Sequence, residues 1–277
     1  MDARRTRPVG VFDSGVGGLT VLAALRAELP DEEFIYLGDT ARLPYGTKSA
    51  ATVERYALQV AEALVQRGIK ALIVACNTAS ATALPAIQAR YQRLPVIGVV
   101  EPGAQRAVEL SARGSIAVLG TEATVREGAY QKAIARLRPD ARVSTAACQL
   151  LVALAEEGWT EGVVAQGVAS RYLAPLFGGP SASKPDTLVL GCTHFPMLRS
   201  VIAEAAGVGV QIVDSAATTA SVVHRRLRAD GLLHPARPGR DALPTLLATD
   251  GAARFARVGS RFLGCPISDI DVELIDI

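Results

Sequence analysis

Long apolar runs are missing from this 277-residue sequence: the stretch at 71–75 is typical of the longest, far short of the ~20 residues a bilayer span requires. Residues 1–7 are basic, but the apolar stretch of an export signal does not follow them, and a soluble, cytoplasmic protein is expected. One-sided charge is missing too. The 29 Lys and Arg are balanced by 27 Asp and Glu, so the net charge of +2 lacks the field of a dedicated nucleic-acid binder. Aromatic residues make up 5% of the chain, which leaves few platforms for stacking single-stranded bases. Neither a nucleic acid nor a membrane is expected as a partner.

Cofactor signatures are also lacking. Cys76, Cys148, Cys192 and Cys265 lie far apart with no Cys-x-x-Cys pair, which argues against both a disulfide framework and a zinc site. The turn with Gly15, Gly17 and Gly18 looks at first like a dinucleotide fingerprint, but the place of its third glycine is taken by Thr20. No Gly-Lys-Ser/Thr phosphate loop occurs, lysines are few, and none has a Schiff-base-like setting. The expectation is no metal and no cofactor.

What the chain does have is 49% hydrophobic and 20% charged residues, enough apolar material for a full core. Short apolar runs alternate with amphipathic stretches, the pattern of βα units on mostly parallel sheets. Strands are expected at 9–12, 34–37, 71–75, 95–100, 115–120, 142–147, 188–190 and 210–213. Helices are expected at 19–29, 52–67, 79–91, 125–137, 161–176 and 197–206. Segments 178–185 and 234–244 read as exposed loops.

One sequence pattern occurs twice. LIVACNT at 72–78 and LVLGCTH at 188–194 each run from a strand through a small residue to a cysteine and two polar residues. Two similar α/β halves would each present a cysteine at the carboxyl end of a strand, where open α/β sheets bind ligands. A helix amino terminus beside each thiol is expected to lower its pKa. One such thiol would suit a nucleophile or a redox group. Two opposed thiols suit inversion at a carbon, one removing a proton from one face and the other returning a proton to the opposite face. Cys148 and Cys265 lack the polar flanks and read as structural.

With these motifs the chain resembles the glutamate racemases of the aspartate/glutamate racemase family. The likeness rests on GVFDSGVGGLT (10–20), YLGDTARLPYG (36–46), ACNTA (75–79), PVIG (95–98), LGTEAT (119–124), LGCTH (190–194) and DSA (214–216), and extends to 257–264. It implies two pseudosymmetric α/β domains, 1–99 plus 212–277 and 100–211, with the active site between them. It implies cofactor-independent racemisation of glutamate, supplying D-glutamate for peptidoglycan, with a homodimer among the assemblies it allows. Cys76 is implied to act on D-glutamate and Cys192 on L-glutamate, assisted by Asp13 and His194 respectively. Glu156 is the candidate for a further assisting carboxylate, with Glu157 adjacent. Ser14, Tyr45, Gly46, Asn77, Thr78 and Thr193, together with Asp13 and His194, are implied to hold the substrate.

Two departures stand out. The family usually has proline after the cysteine matching Cys148 and before the acidic pair, and Phe195 stands where tyrosine is common. An aspartate racemase or related isomerase is the nearest alternative. A one-cysteine thiol hydrolase is another, although it leaves the second motif unexplained. A protein-binding regulator would call for extra amino-terminal length, and residues 1–8 are too short to argue from.

Overall fold

The computed structural model describes residues 2–180, 184–235 and 243–277. β1 (Val9–Asp13) leads through the glycine-rich turn into α1 (Leu19–Glu28), followed by β2 (Phe34–Gly38), α2 (Ala50–Gln66) and β3 (Ala71–Val74). Two short helices, α3 (Asn77–Thr82) and α4 (Leu84–Arg90), precede β4 (Val96–Gly98) and α5 (Val100–Leu110). Next come β5 (Ser115–Gly120), α6 (Glu122–Glu127), α7 (Ala129–Leu137) and β6 (Arg142–Ala147). They are followed by α8 (Gln149–Glu157), α9 (Gly162–Phe177), β7 (Thr187–Gly191), α10 (Arg199–Ala206) and β8 (Gln211–Asp214). The last elements are α11 (Ser215–Ala229), β9 (Thr245–Ala248), α12 (Ala252–Leu263) and β10 (Val272–Leu274).

These strands form two sheets. The first runs β10-β9-β2-β1-β3-β4 and the second β6-β5-β7-β8, and every pairing in both is parallel. Strands buried on both faces explain the unbroken apolar runs, because helices cover each side of such sheets. The expected division at 212 falls inside β8, which pairs with β7, so 212–214 sit in the second sheet rather than with the first half. The chain returns to the first half through α11, which packs against both α1 and α5. One apolar cluster extends through both halves, joining Val9, Val11 and Leu19 to Leu119, Leu188 and Leu190.

Several expected elements differ in detail. The helix expected at 79–91 is split into α3 and α4, with Pro85 in the first turn of the second piece, where its missing N–H has no intrahelical partner to lose. The helix expected at 125–137 begins earlier and breaks at Gly128, φ +64°. Between β7 and α10 a 3-10 turn over Phe195–Leu198 replaces the start of the helix expected at 197. The strand expected at 95–100 is shorter, and Val100 already opens α5. That helix was hidden by Pro102 and Gly103, which look like breakers but lie near its start, where proline is tolerated. Residues 181–183 and 236–242, within the two expected loops, lie outside the described residues. Among the described residues no helix is long and apolar enough to cross a membrane.

Candidate active site

Register places the repeated motifs. Phe12 of β1 is level with Val74 of β3, so Asp13 and Cys76 emerge from neighbouring strands at the carboxyl edge of the first sheet. Gly120 of β5 is level with Gly191 of β7, which brings Thr121 and Cys192 out together from the second. Between these edges lies a cavity of about 40 Å³ lined by both cysteines. Ser14, Tyr45, Gly46, Asn77, Thr78, Thr193 and His194 line it as well, while Asp13 and Glu156 do not. Pro44, Thr121, Gln149 and Val152 complete the wall; of these, Thr121 sits in the LGTEAT stretch.

The two thiols have different surroundings. Cys76 caps α3, its sulfur accepting the Ala79 N–H at 3.4 Å, and Ser14 Oγ lies 3.6 Å away. The expected lowering of its pKa does not occur. Burial pushes the Cys76 thiol up to about 12, Asp13 and Cys192 push the same way, and the Ala79 and Ser14 contacts only partly offset them. Desolvation outweighs the terminus of a short helix. Asp13 stands behind this thiol, 1% exposed. Its Oδ2 accepts the Gly15 N–H at 3.0 Å while Oδ1 has no hydrogen-bond partner. Burial raises its carboxyl above the usual range against the pull of His194 and three backbone N–H groups.

Cys192 does not open an α-helix; two residues separate it from the 3-10 turn. Its sulfur lies 3.7 Å from His194 Nδ1, and His194 Nε2 lies 3.0 Å from Glu156 Oε1. Of the two adjacent glutamates, Glu156 is the one that reaches His194. Burial alone would pull the imidazole down, but Cys192 and Glu156 more than offset it and lift it to about 10. Burial would raise Glu156, yet His194 and Arg254 hold it down at about 2. At neutral pH the second thiol therefore has an imidazolium beside it and a carboxylate beyond.

Polar contacts join the two halves around the cavity. Thr78 Oγ1 lies 2.9 Å from Thr121 Oγ1, Tyr130 donates to Asn77 Oδ1 at 2.8 Å, and Thr20 donates to the Thr193 carbonyl at 3.0 Å. Tyr45 donates its hydroxyl hydrogen to Asp39 Oδ2 at 2.5 Å. At Gly17 the halves touch so closely that a Cβ would lie 2.3 Å from Thr193 Oγ1 and 2.5 Å from the His194 ring. Asn77 Nδ2 and Gln149 Oε1 are buried without partners, a pattern expected of groups that meet a polar ligand. Phe195 is fully buried in the core rather than on the cavity wall. Among the described residues no three His, Cys, Asp or Glu side chains cluster as metal ligands would.

Residues 19–223 match the sequence signature of the Asp/Glu/hydantoin racemases. A glutamate racemase of Geobacter metallireducens is 51% identical over 264 residues, 95% of each chain. The crystal structure of a Francisella tularensis glutamate racemase in complex with D-glutamate superposes with a TM-score of 0.88 at 34% identity, covering 98% of both chains. That of a Thermus thermophilus glutamate racemase with β-chloro-D-alanine gives 0.86 at 42% identity, covering 99% of this chain and 98% of the other. A Picrophilus torridus aspartate racemase, 14% identical with a TM-score of 0.56, shares the fold. The chain belongs to the aspartate/glutamate racemase family and is an amino-acid racemase.

Proposed function

We propose that this member of the aspartate/glutamate racemase family interconverts L- and D-glutamate without a cofactor, with Cys76 and Cys192 on opposite faces of the substrate Cα. The observation that carries this reading is the pair of thiols lining one cavity, each delivered by the carboxyl edge of its own sheet. Glutamate is favoured over aspartate by near-full-length relatives of that name at 42–51% identity.

In the L-to-D direction Cys76 is the acid, its burial holding the proton on sulfur, and Cys192, with the His194 imidazolium beside it, is the base in its thiolate form. L-Glutamate enters with its α-hydrogen toward Cys192. The thiolate takes that proton, forming S–H, and the electron pair of the broken Cα–H bond spreads into the α-carboxylate. Cys76 then delivers its proton to the opposite face and becomes the thiolate, and Asp13 assists that transfer. The reverse sequence converts the D enantiomer. Asn77, Thr78 and Thr193 hold the α-carboxylate and ammonium, and Tyr45 and Gly46 wall the side-chain end. The cavity of about 40 Å³ has room for only about three waters, so the halves part to admit substrate and close to exclude water from the carbanion. The product serves peptidoglycan synthesis in the cytoplasm, as the family resemblance implies.

The test is incubation with L-glutamate in deuterated water with no added cofactor, following circular dichroism and deuterium at Cα. Loss of optical signal with deuterium uptake, abolished by Cys76→Ala and by Cys192→Ala, supports the reading. Turnover of aspartate alone overturns the substrate, and inertness toward both overturns the reaction.

A further inference from the structure

The two thiols are served by unequal supports. The hydrogen-bond contacts of Cys76, to Ser14 Oγ and the Ala79 N–H, and the Asp13 carboxyl beside it all come from the first half of the molecule. The support of Cys192 crosses between halves. His194 and Glu156 belong to the second half, but Glu156 is held from α12, which packs on α1 and β10 of the first. Arg254 Nη2 donates to Glu156 Oε2 at 2.8 Å, and Arg261 Nη2 donates to the Glu156 carbonyl at 2.7 Å.

The arrangement is built into α12. Arg254 and Arg261 are seven residues apart, two turns along one face, while Phe255, Val258, Gly259 and Phe262 bury the adjoining side. Phe262 meets the His194 ring edge-on, with centroids 5.2 Å apart. On the receiving side α8 ends at Gly158, φ +78°, where a Cβ would lie 1.9 Å from Arg261 Nη1. A side chain there would displace the guanidinium, so the end of α8 is shaped to accept it.

We propose that α12 is the positioning element of the second thiol: Arg254 and Arg261 hold Glu156, and through Glu156 and His194 they fix the acid/base geometry of Cys192 only when the two halves are closed. This rests on the reading of Cys192 as the base for the L enantiomer. Its consequence is asymmetry. Closure completes the Cys192 relay, whereas the hydrogen-bond contacts of Cys76 lie within one half.

Kinetic isotope effects separate this role from a structural one. Enantiomers have equal free energy in water, so kcat/KM must fall equally in both directions for any variant. Arg254→Met is expected to lower it about tenfold, the scale of one charge-assisted hydrogen bond. Slowing transfer at Cys192 makes the first step from L-glutamate more rate-limiting, and for D-glutamate it slows the second step. With α-deuterated L-glutamate the isotope effect on kcat/KM should therefore rise, and with α-deuterated D-glutamate it should fall. Arg254→Lys, which keeps the charge, should recover part of the rate and return both isotope effects toward wild type. Arg261→Met should shift them in the same directions as Arg254→Met.

Unchanged isotope effects alongside a lower rate would mean that less protein is active, and would overturn the positioning role. The opposite pattern would support positioning while overturning the assignment of Cys192 to the L face. A wild-type protein that exchanges no α-proton would overturn the racemase reading itself and the inference with it.

Discussion

At the scale of single residues, the His194–Glu156 pair ties stability to pH. His194 is lifted from 6.5 to about 10 and Glu156 lowered from 4.5 to about 2. A raised imidazole contributes its stability fully below pH 6.5 and loses it as pH climbs through about 10. A lowered carboxyl contributes fully above pH 4.5 and loses it as pH falls toward about 2. The gap in melting temperature between wild type and His194→Gln is therefore expected to be widest between pH 4.5 and 6.5 and to close above 10. A gap that grows with pH would contradict the charged pair. Asp13 behaves in the opposite sense, since burial makes its charged form costly. Asp13→Asn should cut kcat about a hundredfold, the lower range of general acid/base catalysis, with no loss of melting temperature. A parallel loss of both would mark Asp13 as a structural residue.

At the scale of elements, the turn between β1 and α1 sets how closely the halves meet. Gly17→Ala places a methyl group where Thr193 and His194 already stand. The expected outcome is about 1–3 kcal/mol of destabilisation in a denaturant titration, as for other overpacked sites, together with a fall in activity of at least tenfold. Unaltered activity would show that the contact is not needed for turnover. The elements that carry the two cysteines were legible in the sequence because each is an apolar strand meeting a polar turn, a local signal. The breaks at Gly128 and before Pro85 were obscured by apolar spacing that continues past them, and α5 by Pro102 and Gly103. The direction of the Cys76 shift was not legible, since it depends on burial by residues distant in sequence. Arg254 was hidden for the same reason: Glu156 lies 98 residues away from it, and an arginine on an amphipathic helix reads as solvated.

At the scale of the whole molecule, the apolar cluster that runs through both halves makes them one cooperative unit despite their separate sheets. Urea unfolding should give coincident transitions by far-ultraviolet circular dichroism and by the fluorescence of Trp159, the only tryptophan and a residue of the second half. Separated midpoints would show that the halves melt independently. The contacts at Gly17, Thr20, Thr78 and Tyr130 belong to this unit and also involve residues that line the cavity between the two cysteines. Folding stability and turnover thus draw on one seam. Substitutions selected only for heat resistance would tend to tighten it and slow the enzyme, whereas adaptation to cold would loosen these few contacts first and leave both sheets untouched.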